Sequence, residues 1–238
     1  MTFSADLFAG RTVVIAGGTS GIGAATAQRF ADLGARVLSF GLGASKAPVG
    51  RQIEHHEIDV LKPGALEVFF SSVEVIDILV NCTGVSRDRG EWEKVAFDGV
   101  MAINLTSVMD CCRLARPHMR TGSAIVNIAS MYSTFGAADR PAYAASKGAI
   151  VQLTKSLAQE YAQADIRVNA VAPGWIVTPL SRALFADEGA STPILRRIPA
   201  GRWGASEEVA DAIVFLSSDA ARYITGACVP VDGGYLTS

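Results

Sequence analysis

The chain is short of charge, of histidine and of cysteine. Only 18% of its 238 residues are Asp, Glu, Lys or Arg, and 21 basic against 23 acidic side chains leave a formal charge of −2. That balance supplies no broad positive field for a phosphate backbone or an anionic bilayer, so neither nucleic acid nor a membrane is expected as a partner. Four cysteines, two of them adjacent at Cys111 and Cys112, do not make a disulfide framework in a chain of this length, which points to a reducing, cytoplasmic setting. Of the three histidines, His55 and His56 are neighbours on an expected strand and point to opposite faces, while His118 is distant; no metal site is expected. Long apolar runs are missing too. The uncharged stretches 12–28 and 121–138 are broken by Gly, Ser, Thr and Asn, and neither reads as a membrane-spanning helix. The first ten residues hold no basic region ahead of an apolar run, so no export signal is expected.

What is abundant is apolar surface to bury. Half the residues are hydrophobic, with 23 Gly and 9 Pro, a mixture that excludes disordered, collagen-like and coiled-coil chains. Short β-branched runs alternate with segments of helical period, the pattern of parallel strands joined by crossover helices. Strands are expected at Thr12–Ala16, 36–40, 53–58, 77–81, 124–129, 167–172 and 227–231, and helices at 23–33, 97–116, 143–163 and 207–217. Several strands lack polar alternation, as strands covered on both faces should. The interval 41–52, containing Gly43, Pro48 and Gly50, is too broken for a full crossover helix. No linker or repeat interrupts the series, so residues 1–238 form a single α/β domain.

Two motifs carry chemistry. After the first strand comes Ala16-Gly17-Gly18-Thr19-Ser20-Gly21-Ile22-Gly23, then a helix rich in small residues. Such a turn lets backbone N–H groups approach a pyrophosphate, and the helix N-terminus adds favourable partial charge. Its spacing is G-x-x-x-G-x-G rather than G-x-G-x-x-G, and a tight turn serving packing alone would read the same way. The second motif is Tyr143-Ala144-Ala145-Ser146-Lys147, whose i, i+4 spacing puts a phenol and an ammonium on one helix face. A phenol titrates near 10, and bringing it to about 7 takes roughly 4 kcal/mol of differential stabilisation, which a fixed cation helps supply. So tuned, it exchanges a proton with an alcohol or ketone. Standing alone, the same pair would be an ordinary surface contact.

These motifs have company. With Asp59-Val60, Asn81-Cys82-Thr83-Gly84, Asn104-Leu105, the Asn127–Ser130 segment, Pro173-Gly174 with Thr178, and Val231-Asp232-Gly233-Gly234, the chain resembles the classical short-chain dehydrogenases/reductases throughout. The resemblance implies a Rossmann-type doubly wound parallel sheet of about seven strands, with helices on both faces. It implies a catalytic tetrad of Asn104, Ser130, Tyr143 and Lys147, and Ser130 stands thirteen positions ahead of Tyr143 as the hydroxyl that orients a substrate carbonyl. Asn104 matches the helix asparagine that holds a water against the lysine. The implied cofactor is NAD(H) or NADP(H). Its contacts would be Gly17, Thr19, Ser20, Gly21, Ile22 and Gly23 at the phosphates, Asp59 and Val60 at the adenine, Asn81, Thr83 and Gly84 under the adenosine ribose, Tyr143 and Lys147, and Pro173, Gly174, Ile176 and Thr178 at the nicotinamide. Two positions depart from the family pattern: Ala16 replaces the usual Thr, and Cys82-Thr83 replace Asn-Ala.

The resemblance further implies a small alcohol or carbonyl substrate, a lid at about 179–201, and a homotetramer or homodimer. Met101, Val108, Cys112 and Ala115 suggest one apolar side of a long helix for the pairing. The residues that separate NAD from NADP leave that choice open. The second strand ends Ser39-Phe40-Gly41-Leu42-Gly43, with neither the acid that binds a ribose 2′-OH nor an Arg for a 2′-phosphate, while Lys46 and Arg51 lie in the irregular crossover. The lid arginines Arg182, Arg196 and Arg197, with Arg87, Arg89 and Arg140, are either carboxylate ligands or a solvated face. Trp175 and Trp203 bracket the lid, and the charged stretch 86–94 reads as a solvated loop. A non-catalytic dinucleotide-binding redox sensor or interaction protein is the competing function, against which the complete tetrad argues.

Overall fold

A computed structural model describes residues 3–50 and 52–237. Seven strands, β1 (Thr12–Ala16), β2 (Arg36–Gly41), β3 (Ile53–Glu57), β4 (Ile76–Asn81), β5 (Met119–Ile128), β6 (Arg167–Pro173) and β7 (Cys228–Val231), form one sheet in the order β3-β2-β1-β4-β5-β6-β7. Every pairing is parallel. The central strands explain themselves physically: all six residues of β4 are buried, because helices cover both faces. On one side α1 (Gly21–Asp32) packs with α8 (Ser206–Ser217), placing Phe30 and Ile213 over Val13, Val37 and Val80. On the other side lie α2 (Ala65–Ser71), α3 (Lys94–Met101), α4 (Ser107–Ala115) and α5 (Pro141–Tyr161), whose Phe69, Val108 and Ile150 cover Phe40, Leu79 and Ile125. Two short helices, α6 (Arg182–Ala186) and α7 (Glu188–Leu195), occupy the expected lid.

Polar anchors hold this frame in register. At the sheet's lower rim the buried Asp77 carboxylate accepts from Thr12 N at 2.8 Å, from Arg120 at 2.9 Å and from Arg11 at 3.3 Å, tying the starts of β1, β4 and β5 together. Near the upper rim Asn81 Nδ2 donates to Asn127 Oδ1 at 2.8 Å, and Asn127 Nδ2 donates to Thr154 Oγ1 at 3.0 Å. That chain fastens β4 and β5 to α5, the helix that carries Tyr143 and Lys147.

The crossover between β2 and β3 holds only a three-residue turn, Ala44–Lys46, as expected from its glycines and proline, and Arg51 lies outside the described residues. The structure departs from the sequence reading in three places here. The short α2 was not expected, since its aromatic and β-branched residues favour strand. The helix expected at 97–116 is three pieces: Ala102–Thr106 is wound as a π-turn between α3 and α4. The stretch Lys94–His118 is long and apolar enough to cross a membrane by length and composition alone, yet it packs on β4 and α2. Finally, Val108, Cys112 and Ala115 are not a subunit face. They are buried in the core, because a crossover helix lies flat on the sheet and turns its apolar stripe inward. The outward apolar residues of α3 and α4 include Val95, 87% exposed, Met109, 40% exposed, and Phe97, 36% exposed.

Candidate active site

Strand order reverses between β1 and β4, and in a doubly wound sheet the crevice at such a point, beyond the strands' C-terminal ends, is where ligands bind. A cleft of about 340 Å³ opens there. Its phosphate end is the turn after β1, where Gly17, Thr19, Ser20, Gly21, Ile22 and Gly23 all line the cleft. Two glycines are required by close approach. A Cβ on Gly17 would stand 2.6 Å from Thr83 N, and one on Gly23 would stand 2.1 Å from Gly17 O. Gly21 instead sits at φ +52° with its absent side chain facing Thr178 and Pro179 across the cleft. Directly behind, the first N–H groups of α1 have no carbonyl partners within the helix and carry its positive end.

Other walls come from the ends of the neighbouring strands. Gly41 ends β2 and Leu42 follows it, Ile58, Asp59 and Val60 follow β3, and Cys82, Thr83, Gly84 and Val85 follow β4. Asn81 is the exception to the expected contacts. Its side chain turns away into the core, donating to Asn127 and to Cys112 Sγ at 3.3 Å, because the last strand residue still obeys the sheet's alternation. Pro173, Gly174 and Ile176 border a second pocket, of about 440 Å³, while Thr178 borders both.

Tyr143 stands where the two pockets meet, lining each. Ser130 lies on the second-pocket side; its Oγ accepts from Tyr132 N at 3.2 Å, which leaves the hydroxyl proton free to donate. Lys147 lies on the first, 3% exposed, with Nζ donating to Ile128 O at 2.7 Å and standing 5.7 Å from the Tyr143 ring centroid. Burial pulls the Lys147 ammonium down to about 8. Burial also pushes the Tyr143 phenol up, opposed by its hydrogen bond with Ser130 and by Arg140 and reinforced by Glu91. Cys82 is held as a neutral thiol, pushed up to about 12 by burial, so it brings no negative charge to the ammonium near neutral pH.

Asn104 is fully buried in the π-turn. Its Oδ1 accepts from Val85 N at 2.8 Å, and its Nδ2 donates to Val85 O at 2.9 Å and to Ser146 Oγ at 3.1 Å. It thereby clamps the loop after β4 to the second turn of α5. A second clamp was invisible in the sequence. Glu91, inside the stretch read as a solvated loop, is 0% exposed. Its carboxylate accepts from Tyr143 N and Arg87 N, both at 2.8 Å, and from Ser86 Oγ at 3.0 Å. A carboxylate at the start of α5 complements the helix dipole and fixes the backbone that carries the phenol. Only a charge run was readable there, with nothing to show which acid turns inward.

The second pocket is shaped by Tyr132, Trp175, Leu184 and Asp187, with Arg140 at its side. Trp175 and Trp203 pack edge to face at 5.3 Å; Trp175 lines the pocket and Trp203 is buried behind it. Arg140 is shared between Asp139 at 2.7 Å and Asp88 at 3.1 Å. The Arg197 guanidinium sits 4.4 Å over the Tyr235 ring, outside the pocket. His55 is bonded to Ser39 and Pro48 O, and His56 packs on Phe69.

The first cleft fits a dinucleotide on its own evidence. Its glycine turn leaves room where side chains would clash, a helix N-terminus points into it, and at its wall the buried Thr83 Oγ1 has no hydrogen-bond partner among the described residues. Comparison with known proteins agrees. A family model described as enoyl-(acyl carrier protein) reductase matches residues 16–236. The chain is 37% identical over 244 residues to the 2-dehydro-3-deoxy-D-gluconate 5-dehydrogenase of Bacillus subtilis, covering 96% of this chain and 95% of that one. Among solved structures, the aldohexose dehydrogenase of Thermoplasma acidophilum superposes with a TM-score of 0.91 at 31% identity, over 99% of this chain and 97% of that one. An Agrobacterium tumefaciens relative with bound NADP superposes with a TM-score of 0.88 at 36% identity, over 99% of this chain and all of the other. The chain belongs to the short-chain dehydrogenase/reductase family and is an NAD(P)-dependent oxidoreductase that interconverts secondary alcohols and ketones.

Proposed function

We propose that Tyr143 is the general acid and base of this reaction, acting on a small polar hydroxy or keto compound held in the second pocket. The observation that carries the reading is the phenol's place at the junction of the two pockets, with Ser130 on one side and Lys147 on the other. In reduction, Tyr143 Oη gives its proton to the substrate oxygen while the Ser130 hydroxyl holds that oxygen. In alcohol oxidation the phenolate takes the proton back, and the Lys147 ammonium stabilises it. The dinucleotide, when bound, supplies or accepts the hydride. Gly17 and the 19–23 turn would hold its phosphates, Asp59 and Val60 its adenine, Thr83, Gly84 and Lys147 its riboses, and Ile176 and Thr178 its nicotinamide. Asn104 acts through the two backbone segments it joins.

The segment 179–201 serves as the substrate lid in this reading, since Leu180, Ser181, Leu184 and Asp187 already wall the second pocket. A cytoplasmic location is consistent with four free cysteines. A homotetramer or homodimer is consistent with the apolar Val95 and Met109 exposed on the α3–α4 side. The test is turnover with NADH and NADPH against a panel of carbonyl compounds, with Tyr143→Phe beside the wild type. The variant should bind cofactor normally and lose about 10²- to 10⁴-fold in kcat. Unchanged turnover in Tyr143→Phe would remove the phenol from the mechanism.

A further inference from the structure

The end of β2 is where this fold discriminates at the ribose 2′ position, and this chain has Gly41 and Leu42 there, with neither an acid nor an arginine. An acid nevertheless stands beside that position, and it comes from the next strand. In the parallel register between β2 and β3, Gly41 pairs with Glu57. The Glu57 carboxylate is fixed by two backbone donors of the loop after β2: Gly43 N at 3.0 Å on Oε1 and Ala44 N at 2.7 Å on Oε2. Gly43 adopts φ +74°, which turns the two N–H groups toward one anion. Thr19 of the phosphate turn donates to Leu42 O at 2.9 Å, so the loop is also tied to the cleft itself.

Resting on the dinucleotide reading above, we propose that Glu57 makes this enzyme prefer NAD(H) by occupying, from β3, the anion-binding turn that a 2′-phosphate would need. The N–H groups of Gly43 and Ala44, which directly follow the cleft-lining Gly41 and Leu42, are already used by a carboxylate, whose charge repels a second anion. Each carboxylate oxygen keeps an acceptor site for a ribose hydroxyl. The basic residue of the turn itself, Lys46, is exposed and meets high-dielectric solvent, where its attraction is weak. NADP is the cofactor held by the Agrobacterium relative, so the proposal separates this chain from it.

The experiment is fluorescence titration of the full chain with NADH and NADPH, for the wild type, Glu57→Gln and Glu57→Ala, at low and high salt. The wild type should bind NADH more tightly by at least about tenfold, a like-charge penalty at a protein surface. Both variants should narrow that ratio, chiefly by gaining NADPH affinity, and high salt should narrow it in the wild type alone. The ratio remains readable if a variant loosens the loop, because loosening weakens both ligands together. A wild type that binds NADPH as well or better, or a ratio that neither substitution changes, overturns the proposal and leaves the dinucleotide site standing. Failure to bind either cofactor takes down the site as well.

Discussion

Lys147 is predicted to cost the empty enzyme stability at neutral pH, and the cost should vanish as the solution is made alkaline. Lys147 is 3% exposed and its ammonium is drawn from 10.5 to about 8 by burial, with one hydrogen bond among the described residues, to Ile128 O, to offset the lost hydration. At about 1.4 kcal/mol per tenfold change in proton affinity, that depression corresponds to on the order of 3 kcal/mol. The folded pKa lies below the unfolded one, so between about 8 and 10.5 the unfolded chain binds more protons. Stability from this group therefore rises with pH across that window, and the full cost is present below it. Lys147→Met keeps the bulk and removes the charge. In urea unfolding of cofactor-free protein, the difference between Lys147→Met and wild type should favour the variant most near pH 7 and shrink by about 3 kcal/mol toward pH 10.5. Lysines and tyrosines remote from residue 147 titrate alike in both proteins and cancel. Parallel curves from pH 7 to 10.5 would show that the ammonium is solvated in the folded state, and the account of a buried cation waiting for its ligand would fall. The same substitution should abolish turnover, which would identify the charge as a functional burden rather than a structural asset.

Three further outcomes follow from the geometry. Glu91→Leu strands the Tyr143 and Arg87 N–H groups and the Ser86 hydroxyl, and should lower unfolding free energy by about 3 kcal/mol or more; unfolding within error of the wild type would show that the carboxylate is dispensable. Gly21→Leu projects into the cleft from a left-handed backbone, so cofactor affinity should fall at least about tenfold with the fold retained by circular dichroism; normal titration would remove the phosphate-turn assignment. Asn127→Ala breaks the chain from Asn81 to Thr154 and should cost about 1–3 kcal/mol in denaturant unfolding; no loss would mean that water replaces the amide.

Much of the site was legible because its residues sit at fixed offsets within local elements. The glycine turn is read from glycine spacing over seven residues, and the phenol and ammonium from their i, i+4 spacing. Local pattern misled where burial was decided by distant partners. Val108, Cys112 and Ala115 showed an apolar stripe, but only the sheet beneath α4 made it core. Glu91 lay in a charge run, and only the approach of α5 turned it into a buried clamp. Asn81 stood in a cofactor motif, while the pleat of β4 aimed its amide at Asn127.

Periodicity alone read the parallel α/β plan, and spacing marked the glycine turn and the phenol–ammonium pair, because each depends on residues a few positions apart; the resemblance to a family is what joined Asn104 and Ser130 to that pair. Folding decided which charges lose water and which backbones lie side by side. It lowered the lysine's proton affinity, raised the phenol's, and set Glu57 next to a glycine sixteen positions earlier. Those outcomes depend on solvent exclusion and strand register, quantities that exist only once remote segments have met.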